Sequence, residues 1–292
     1  MAKRLLAMTG LFVVLMMTSM VTVAGAEVLE VRVPKNMDSA IDFPWVFEAL
    51  KLALDESGVK YHLDFMKEEV DEARSIRMVE RNDADLAFAA YGTSKELRYI
   101  MVPIFRGLLG FRIPVITKAD QETKFAPGAI KDVGDLSKLA ILQGVGWGDA
   151  KILRSSGLKV NEVPYENIFK LLSAGGRGDL FLTGSPEALA EKQAIWSDND
   201  SIAIEKNYGV KYDHFDIFFM VNKANTALYD ALAKGLELAY QDGSFKKAFY
   251  ANSQVRPVFS SSEINLRGRK IIEVPNTLAD VNVKAIPDAY WE

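Results

Sequence analysis

Residues 108–117 read LLGFRIPVIT, a strongly apolar run that separates two series of alternating strand and helix patterns. The series before it is predicted to follow the order β-α-β-α-β. Its predicted elements are strands over Leu29–Val33, Val59–Phe65 and Asp85–Tyr91, and helices from Asp42 to Gly58 and from Asp71 to Arg81. An order of this kind predicts a parallel sheet covered by helices.

A second β/α series follows the run. Its predicted elements are strands over Leu139–Gln143, Leu158–Val163 and Leu180–Thr183, and helices over Asp149–Ser155, Asn167–Ala174 and Pro186–Ala194. A second apolar run, Phe215–Asn222, then precedes a long amphipathic helix. Two series joined by two extended runs predict an α/β fold of two lobes with a ligand cleft between them. We expect residues 27–115 plus 216–292 to form lobe 1 and residues 116–215 to form lobe 2.

The N-terminus has the pattern of a secretory signal peptide. Lys3 and Arg4 precede an apolar run, and Ala24-Gly25-Ala26 follows it, so cleavage is expected after Ala26. An uncleaved anchor helix is the alternative, since the run nears membrane-spanning length. The mature chain is expected to be periplasmic, soluble and monomeric.

Composition excludes several classes of function. The chain of 292 residues has a net charge of −4 and no basic tract, which argues against nucleic acid as a partner. It contains no cysteine, which excludes a disulfide scaffold and thiolate metal sites. The glycine-rich GVGWG lacks the spacing of a dinucleotide loop, and the two histidines have no ligand spacing. No cofactor or metal site is expected.

Four stretches, in order, resemble the family 3 extracellular solute-binding proteins, the amino-acid-type periplasmic binding proteins. They are DADLAFAAYGTSKELRYIMVPI, LAILQGVGWGDAKIL, VPYENIFKLLSAGGRGDLFLTGSPE and AYQDGSFKKAFY. The resemblance implies the type II periplasmic binding fold, with two β/α lobes joined by two hinge crossovers. It also implies delivery of a small solute to an ATP-driven (ABC-type) transporter.

The resemblance assigns a carboxylate anchor to Arg98. A guanidinium offers a planar donor fork that binds a carboxylate bidentately. The hydroxyls of Thr93 and Ser94 and the backbone N–H groups from Gly146 to Asp149 are expected to assist, because a helix start favours an anion. The alternative is that Arg98 is a surface residue that pairs with Glu96 or with nothing.

Two departures from the family pattern bear on the ligand. The acid that holds the ligand's amino group is replaced by Gly184, and nearby Glu187 is interpreted as a first-turn helix acid. The turn Val145-Gly146-Trp147-Gly148 also lacks the usual hydroxyls. We therefore expect a small carboxylate-bearing or mixed polar and aromatic ligand more readily than a standard α-amino acid.

Aromatic side chains are candidates for the rest of the pocket, because they cover the apolar body of a ligand. The candidates are Phe43 and Trp45 after the first strand, Tyr91 at the end of the third, and Trp147 in the glycine-rich turn. Gly148 of the same turn is a candidate through its backbone. Thr183, at the end of a lobe 2 strand, completes the set.

The leading hypothesis is a binding protein whose partners are the solute and an inner-membrane permease. A ligand sensor that docks on a membrane receptor is a second possibility. The alternative hypothesis from another functional class is an enzyme on the same fold, of the prephenate or arogenate dehydratase type. It would need a general acid in the cleft, for which Glu187, Asp149 or Glu166 would serve.

Overall fold

The computed structural model describes residues 28–36 and 44–292. The expected leader and the candidate Phe43 lie outside the described residues. Within these ranges, no helix combines the length and the apolar character needed to cross a membrane.

Strands and helices alternate along most of the described chain. The strands are β1 (Leu29–Asn36), β2 (Tyr61–Val70), β3 (Leu86–Ala90), β4 (Leu97–Tyr99), β5 (Phe111–Thr117), β6 (Ala140–Gly144), β7 (Lys159–Val163), β8 (Leu180–Gly184), β9 (Ile202–Ile204), β10 (Tyr208–Lys211), β11 (Ile217–Asn222) and β12 (Lys270–Glu273). The helices are α1 (Pro44–Ser57), α2 (Glu72–Glu80), α3 (Val133–Leu136), α4 (Gly148–Ser155), α5 (Ile168–Ala174), α6 (Ala188–Glu191), α7 (Thr226–Gln241), α8 (Ser244–Ala251), α9 (Arg256–Ser260) and α10 (Val281–Lys284). Helix α6 is shorter than predicted, because a π-helical turn over Lys192–Trp196 replaces its second half.

Two small sheets form lobe 1. Strands β1 and β2 pair in parallel, with Leu29 opposite Tyr61. Strand β3 pairs instead with β11, which runs antiparallel to both β3 and β4. The expectation of a parallel sheet is confirmed for β1 and β2 and is wrong for β3, because β11 returns from lobe 2 in the opposite direction and enters between β3 and β4.

A seven-stranded sheet forms lobe 2, in the order β12-β10-β5-β8-β6-β7 with β9 also paired to β5. Its membership differs from the expected lobe boundaries at two places. All of β5, from Phe111, belongs to this sheet, although residues up to 115 were expected in lobe 1. Strand β12 was also expected in lobe 1 but pairs in parallel with β10. A strand of four residues carries too short a pattern to be assigned from sequence.

Helices α1 and α7 cover lobe 1 in close contact. The apolar face of α1 is buried, including Ala49, Leu50 and Ala53. Gly235 of α7 permits the close approach, since a Cβ at this position would lie only 1.7 Å from the Ala53 carbonyl oxygen. The close packing of α1 against α7 holds in place the strands that lead to the cleft.

The chain passes from lobe 1 to lobe 2 between β4 and β5 (residues 100–110, the first crossover) and returns between β10 and β11 (residues 212–217, the second crossover). It crosses between the lobes twice more after α9. Strand β12 joins lobe 2, and Asn276 Nδ2 then donates a hydrogen bond of 2.8 Å to the Asp213 carbonyl oxygen. Helix α10 returns to lobe 1, where Val283 is buried in the core. We call residues 275–280, which connect β12 in lobe 2 to α10 in lobe 1, the C-terminal strap.

Candidate functional site

The described residues enclose a cavity of about 460 Å³, a size suited to a small ligand. Its walls come from both lobes, from the crossovers and from the C-terminal strap. The lining includes Tyr91 and Thr93 of lobe 1, Trp147, Asp149, Tyr165, Glu187 and Glu191 of lobe 2, Arg112 and Asp216 near the crossovers, and Asn276 and Leu278 of the strap.

A buried arginine lies in the cavity wall. The Nη2 atom of Arg112 is 3.1 Å from Asp149 Oδ2, and Nη1 is 3.8 Å from Glu187 Oε2. Tyr212 donates a hydrogen bond of 2.9 Å to the same Asp149 oxygen. Burial opposes the charge on Arg112, but the adjacent phenol and carboxylates outweigh it and raise the pKa of the guanidinium. Because two carboxylates share this guanidinium, its charge is compensated within the protein.

Glu187 fills the space beside Gly184. Its Oε2 accepts a hydrogen bond of 2.9 Å from the Gly184 N–H. A Cβ at residue 184 would lie 2.2 Å from that oxygen, so a side chain there would collide with it. The interpretation of Glu187 as an ordinary helix acid is therefore corrected, since its carboxylate lies at the end of β8 in the cavity wall.

Glu191, one helical turn after Glu187, is almost fully buried. Its Oε1 accepts a hydrogen bond of 2.6 Å from the Tyr165 hydroxyl. Its Oε2 has no partner of good geometry among the described residues. Burial, and then the charge of Glu187, raise the pKa of Glu191 to about 7. The cavity wall thus contains a buried carboxyl group whose pKa is raised from its ordinary value.

Glu191→Gln is expected to stabilise the protein more at pH 8 than at pH 5. The folded-state pKa of about 7 lies above the ordinary 4.5, so the stability that Glu191 contributes is present below pH 4.5 and is lost as the pH rises through 7. Glutamine still accepts the Tyr165 hydrogen bond and cannot ionise. The advantage of the variant in unfolding free energy should grow by about 2 kcal/mol between the two pH values in urea denaturation. The exposed Glu166→Gln is the control, and a constant advantage would contradict the assignment.

Asp216 ties the two crossovers together. Its carboxylate accepts hydrogen bonds from the N–H groups of Phe105 (3.0 Å) and Gly107 in the first crossover, and of Ile217 (2.7 Å) in the second. Burial raises the pKa of Asp216 to about 7, although these hydrogen bonds oppose the shift. Asp216 also lines the cavity, so one residue both connects the two crossovers and contributes to the cavity wall.

The structure brings the candidates Tyr91, Thr93, Gly146, Trp147 and Gly148 together in the cavity lining. Trp147 packs against Tyr165, with 5.5 Å between ring centroids, so the two rings form one aromatic wall.

Arg98 does not face the cavity, which corrects the expectation of a carboxylate anchor at this position. Strand β4 has Leu97 and Tyr99 buried and Arg98 exposed between them, because side chains alternate between the two faces of a strand. Its guanidinium lies over the ring of Tyr229 in α7, 3.3 Å from the ring centroid. Arg98 thus joins two surface elements of lobe 1.

Three further candidates are buried away from the cavity. Ser94 donates its hydroxyl to Glu80 Oε1 at 2.7 Å. Trp45 lies in the core, where its Nε1 donates to the Ile104 carbonyl oxygen at 2.7 Å. Thr183 is fully buried in β8. Ser94 and Trp45 serve packing and local hydrogen bonding, whereas Thr183 Oγ1 has no hydrogen-bond partner of good geometry among the described residues.

The glycine-rich turn is occupied by a carboxylate of the protein itself. Gly146, at a φ of +80° that favours glycine, donates its N–H to Glu162 Oε2 at 2.7 Å. Glu162 also pairs with Arg154. Of the N–H groups from Gly146 to Asp149 that were expected to assist in binding a ligand's carboxylate, that of Gly146 is therefore already engaged.

Sequence reasoning missed Arg112, Glu191 and Tyr165. One sequence feature indicated Arg112: a charge inside the apolar run LLGFRIPVIT requires buried partners. No sequence feature indicated Glu191, since a glutamate in a helical pattern is typical of a solvated face. Of the acids considered for an enzyme, Asp149 and Glu187 line the cavity.

No family model and no curated protein matches this chain. Solved structures do share its fold. An ancestral arginine-binding protein bound to arginine is 19% identical, over 76% of this chain and 97% of its own, with a TM-score of 0.52. An amino acid ABC transporter substrate-binding protein from Streptococcus pneumoniae, bound to L-arginine, is 18% identical, over 80% and 96%, with a TM-score of 0.50. A probable amino-acid ABC transporter extracellular-binding protein from Bacillus subtilis is 15% identical, over 77% and 97%, with a TM-score of 0.56. The predicted α/β fold of the two-lobed periplasmic binding proteins is confirmed.

Proposed function

We propose that this chain is a solute-binding protein that captures a small polar, amino-acid-like solute between its lobes. The observation that carries the proposal is the cavity of about 460 Å³, whose walls come from both lobes and contain buried charged groups. A site divided between two lobes can close around a ligand by hinge movement. The names of the solved proteins that share the fold support the same role.

The proposed partner is a permease of the ABC type in the inner membrane, to which the closed lobes deliver the solute. The signal-peptide pattern at the N-terminus supports export and a periplasmic location. We propose binding without a catalytic step.

The test is titration calorimetry of the purified chain with amino acids, amines, small carboxylates and sugars. At least one class should bind, and that ligand at one hundred times its dissociation constant should add about 2.7 kcal/mol to the unfolding free energy. A folded chain that binds no compound of the panel would contradict the proposal.

Trp147→Ala is expected to weaken binding of that ligand about tenfold, because an aromatic wall of the cavity is lost. The control is Phe65→Ala, which removes a half-exposed ring outside the cavity lining. Equal affinities in the wild type and in Trp147→Ala would mean that the ligand binds elsewhere. Folding of both variants is checked by circular dichroism.

A further inference from the structure

Two of the groups expected to bind a carboxylate are not available in the cavity. Arg98 lies outside it, over the ring of Tyr229. The Gly146 N–H donates to Glu162. The arginine that does line the cavity, Arg112, has its Nη atoms 3.1 Å from Asp149 and 3.8 Å from Glu187, while its buried Nε has no hydrogen-bond partner among the described residues. A carboxylate entering the cavity would therefore compete with carboxylates of the protein at the Gly146 N–H and at the two Nη atoms of Arg112.

Carboxyl groups outnumber cations in the cavity lining. The carboxyl groups belong to Glu72, Asp149, Glu187, Glu191, Asp216 and Asp280, whereas the cations are Arg112 and Lys151. Asp149 and Arg112 are buried together, and Lys151 is exposed on α4. The deep part of the cavity thus retains an excess of carboxyl groups at Glu187 and Glu191.

Glu187 is the carboxylate that a ligand can reach. Its side chain is 21% exposed and lines the cavity. Glu191 lies one turn further along, and its buried Oε2 lacks a partner of good geometry among the described residues. Two acids in a partly dehydrated wall attract a positive group more strongly than they would in water.

The surrounding wall is aromatic. Trp147 and Tyr165 pack together, and Tyr91 and Phe215 also line the cavity. The faces of aromatic rings attract cations, most strongly when the cation is dehydrated. Carboxylates and aromatic rings together are suited to an organic cation.

We propose that the solute is an organic cation, an amine or a guanidine, whose positive group lies against Glu187, and that no carboxylate on the ligand is needed for binding. This inference rests on the proposed function and deepens it by assigning the ligand class. Glu191 positions the site through its charge and through Tyr165.

The test is calorimetric titration of the chain with three matched compounds. Agmatine carries an ammonium and a guanidinium, L-arginine adds a carboxylate to the same skeleton, and glutarate carries carboxylates alone. We expect agmatine to bind at least as tightly as L-arginine, and glutarate not to bind. Binding of L-arginine or glutarate without agmatine would overturn the ligand class and leave the proposed function standing. If none of the three compounds nor any compound of the wider panel binds to the folded chain, both proposals fail.

Glu187→Gln tests the contact itself. The amide can still accept the Gly184 hydrogen bond, but it carries no charge. The affinity for agmatine should fall at least tenfold, Glu187→Asp should retain part of it, and the exposed Glu166→Gln should retain all of it. Unchanged affinity in a folded Glu187→Gln chain would overturn the role of Glu187. If Glu187→Gln does not fold, Glu187→Asp decides, because a shorter acid should weaken binding without abolishing it.

Discussion

Arg112→Met is expected to lower the free energy of unfolding by about 3–5 kcal/mol, because it leaves the buried Asp149 and the partly buried Glu187 without their cation. The guanidinium lies 3.1 Å from Asp149 and 3.8 Å from Glu187, and both Arg112 and Asp149 are nearly inaccessible to solvent. Methionine can fill part of the volume but cannot compensate either charge. Urea denaturation at pH 7.5 measures the loss.

The matched control is Arg98→Met. Arg98 is exposed, and its described contact is the ring of Tyr229. An exposed cation–π pair contributes about 0.5–1 kcal/mol, so this variant should remain close to the wild type. Equal losses in the two variants would contradict the assignment of Arg112 as the compensating charge of the cavity.

Asp216→Ala is expected to lower the free energy of unfolding by about 3 kcal/mol. Three backbone N–H groups, those of Phe105, Gly107 and Ile217, lose their acceptor. Each unsatisfied buried donor costs about 1–3 kcal/mol, and removal of a buried acid offsets part of the sum. The loss should be larger at pH 6 than at pH 8. With a pKa raised to about 7, the stability that Asp216 contributes is present at low pH and is lost as the pH rises through that value.

Asp216→Asn separates the hydrogen bonds from the charge. Its amide oxygen still accepts, so it should recover about half of the loss in denaturation at pH 6. A variant Asp216→Ala as stable as the wild type would show that the crossovers hold together without this carboxylate.

The sequence predicted the fold better than the site. Alternating patterns placed α1, α7 and the apolar strands near their observed positions, because burial of one face imposes a period on a helix or a strand. The antiparallel entry of β11 between β3 and β4 could not be predicted, since residues 86–90 and 217–222 carry no local signal of which strand they pair with.

Arg98 shows why a motif alone does not place a side chain. In a strand, a shift of one residue moves a side chain to the opposite face. Burial of Leu97 and Tyr99 directs Arg98 outward, and Arg112 on another strand takes the buried position. Glu187 shows the converse, because a glycine at 184 leaves space that a carboxylate from the following turn fills.

The C-terminal strap sets a mechanical limit on the cleft. The seven residues from Val274, hydrogen-bonded to Lys211 in lobe 2, to Asp280, which caps α10, can span at most about 25 Å when fully extended. Because Asn276 bonds to the carbonyl of Asp213, the strap runs beside the second crossover. Lobes joined by the two crossovers and by the strap resist twisting more than lobes joined by the two crossovers alone. The lobes should therefore rotate about one axis, through an angle that the tether length bounds.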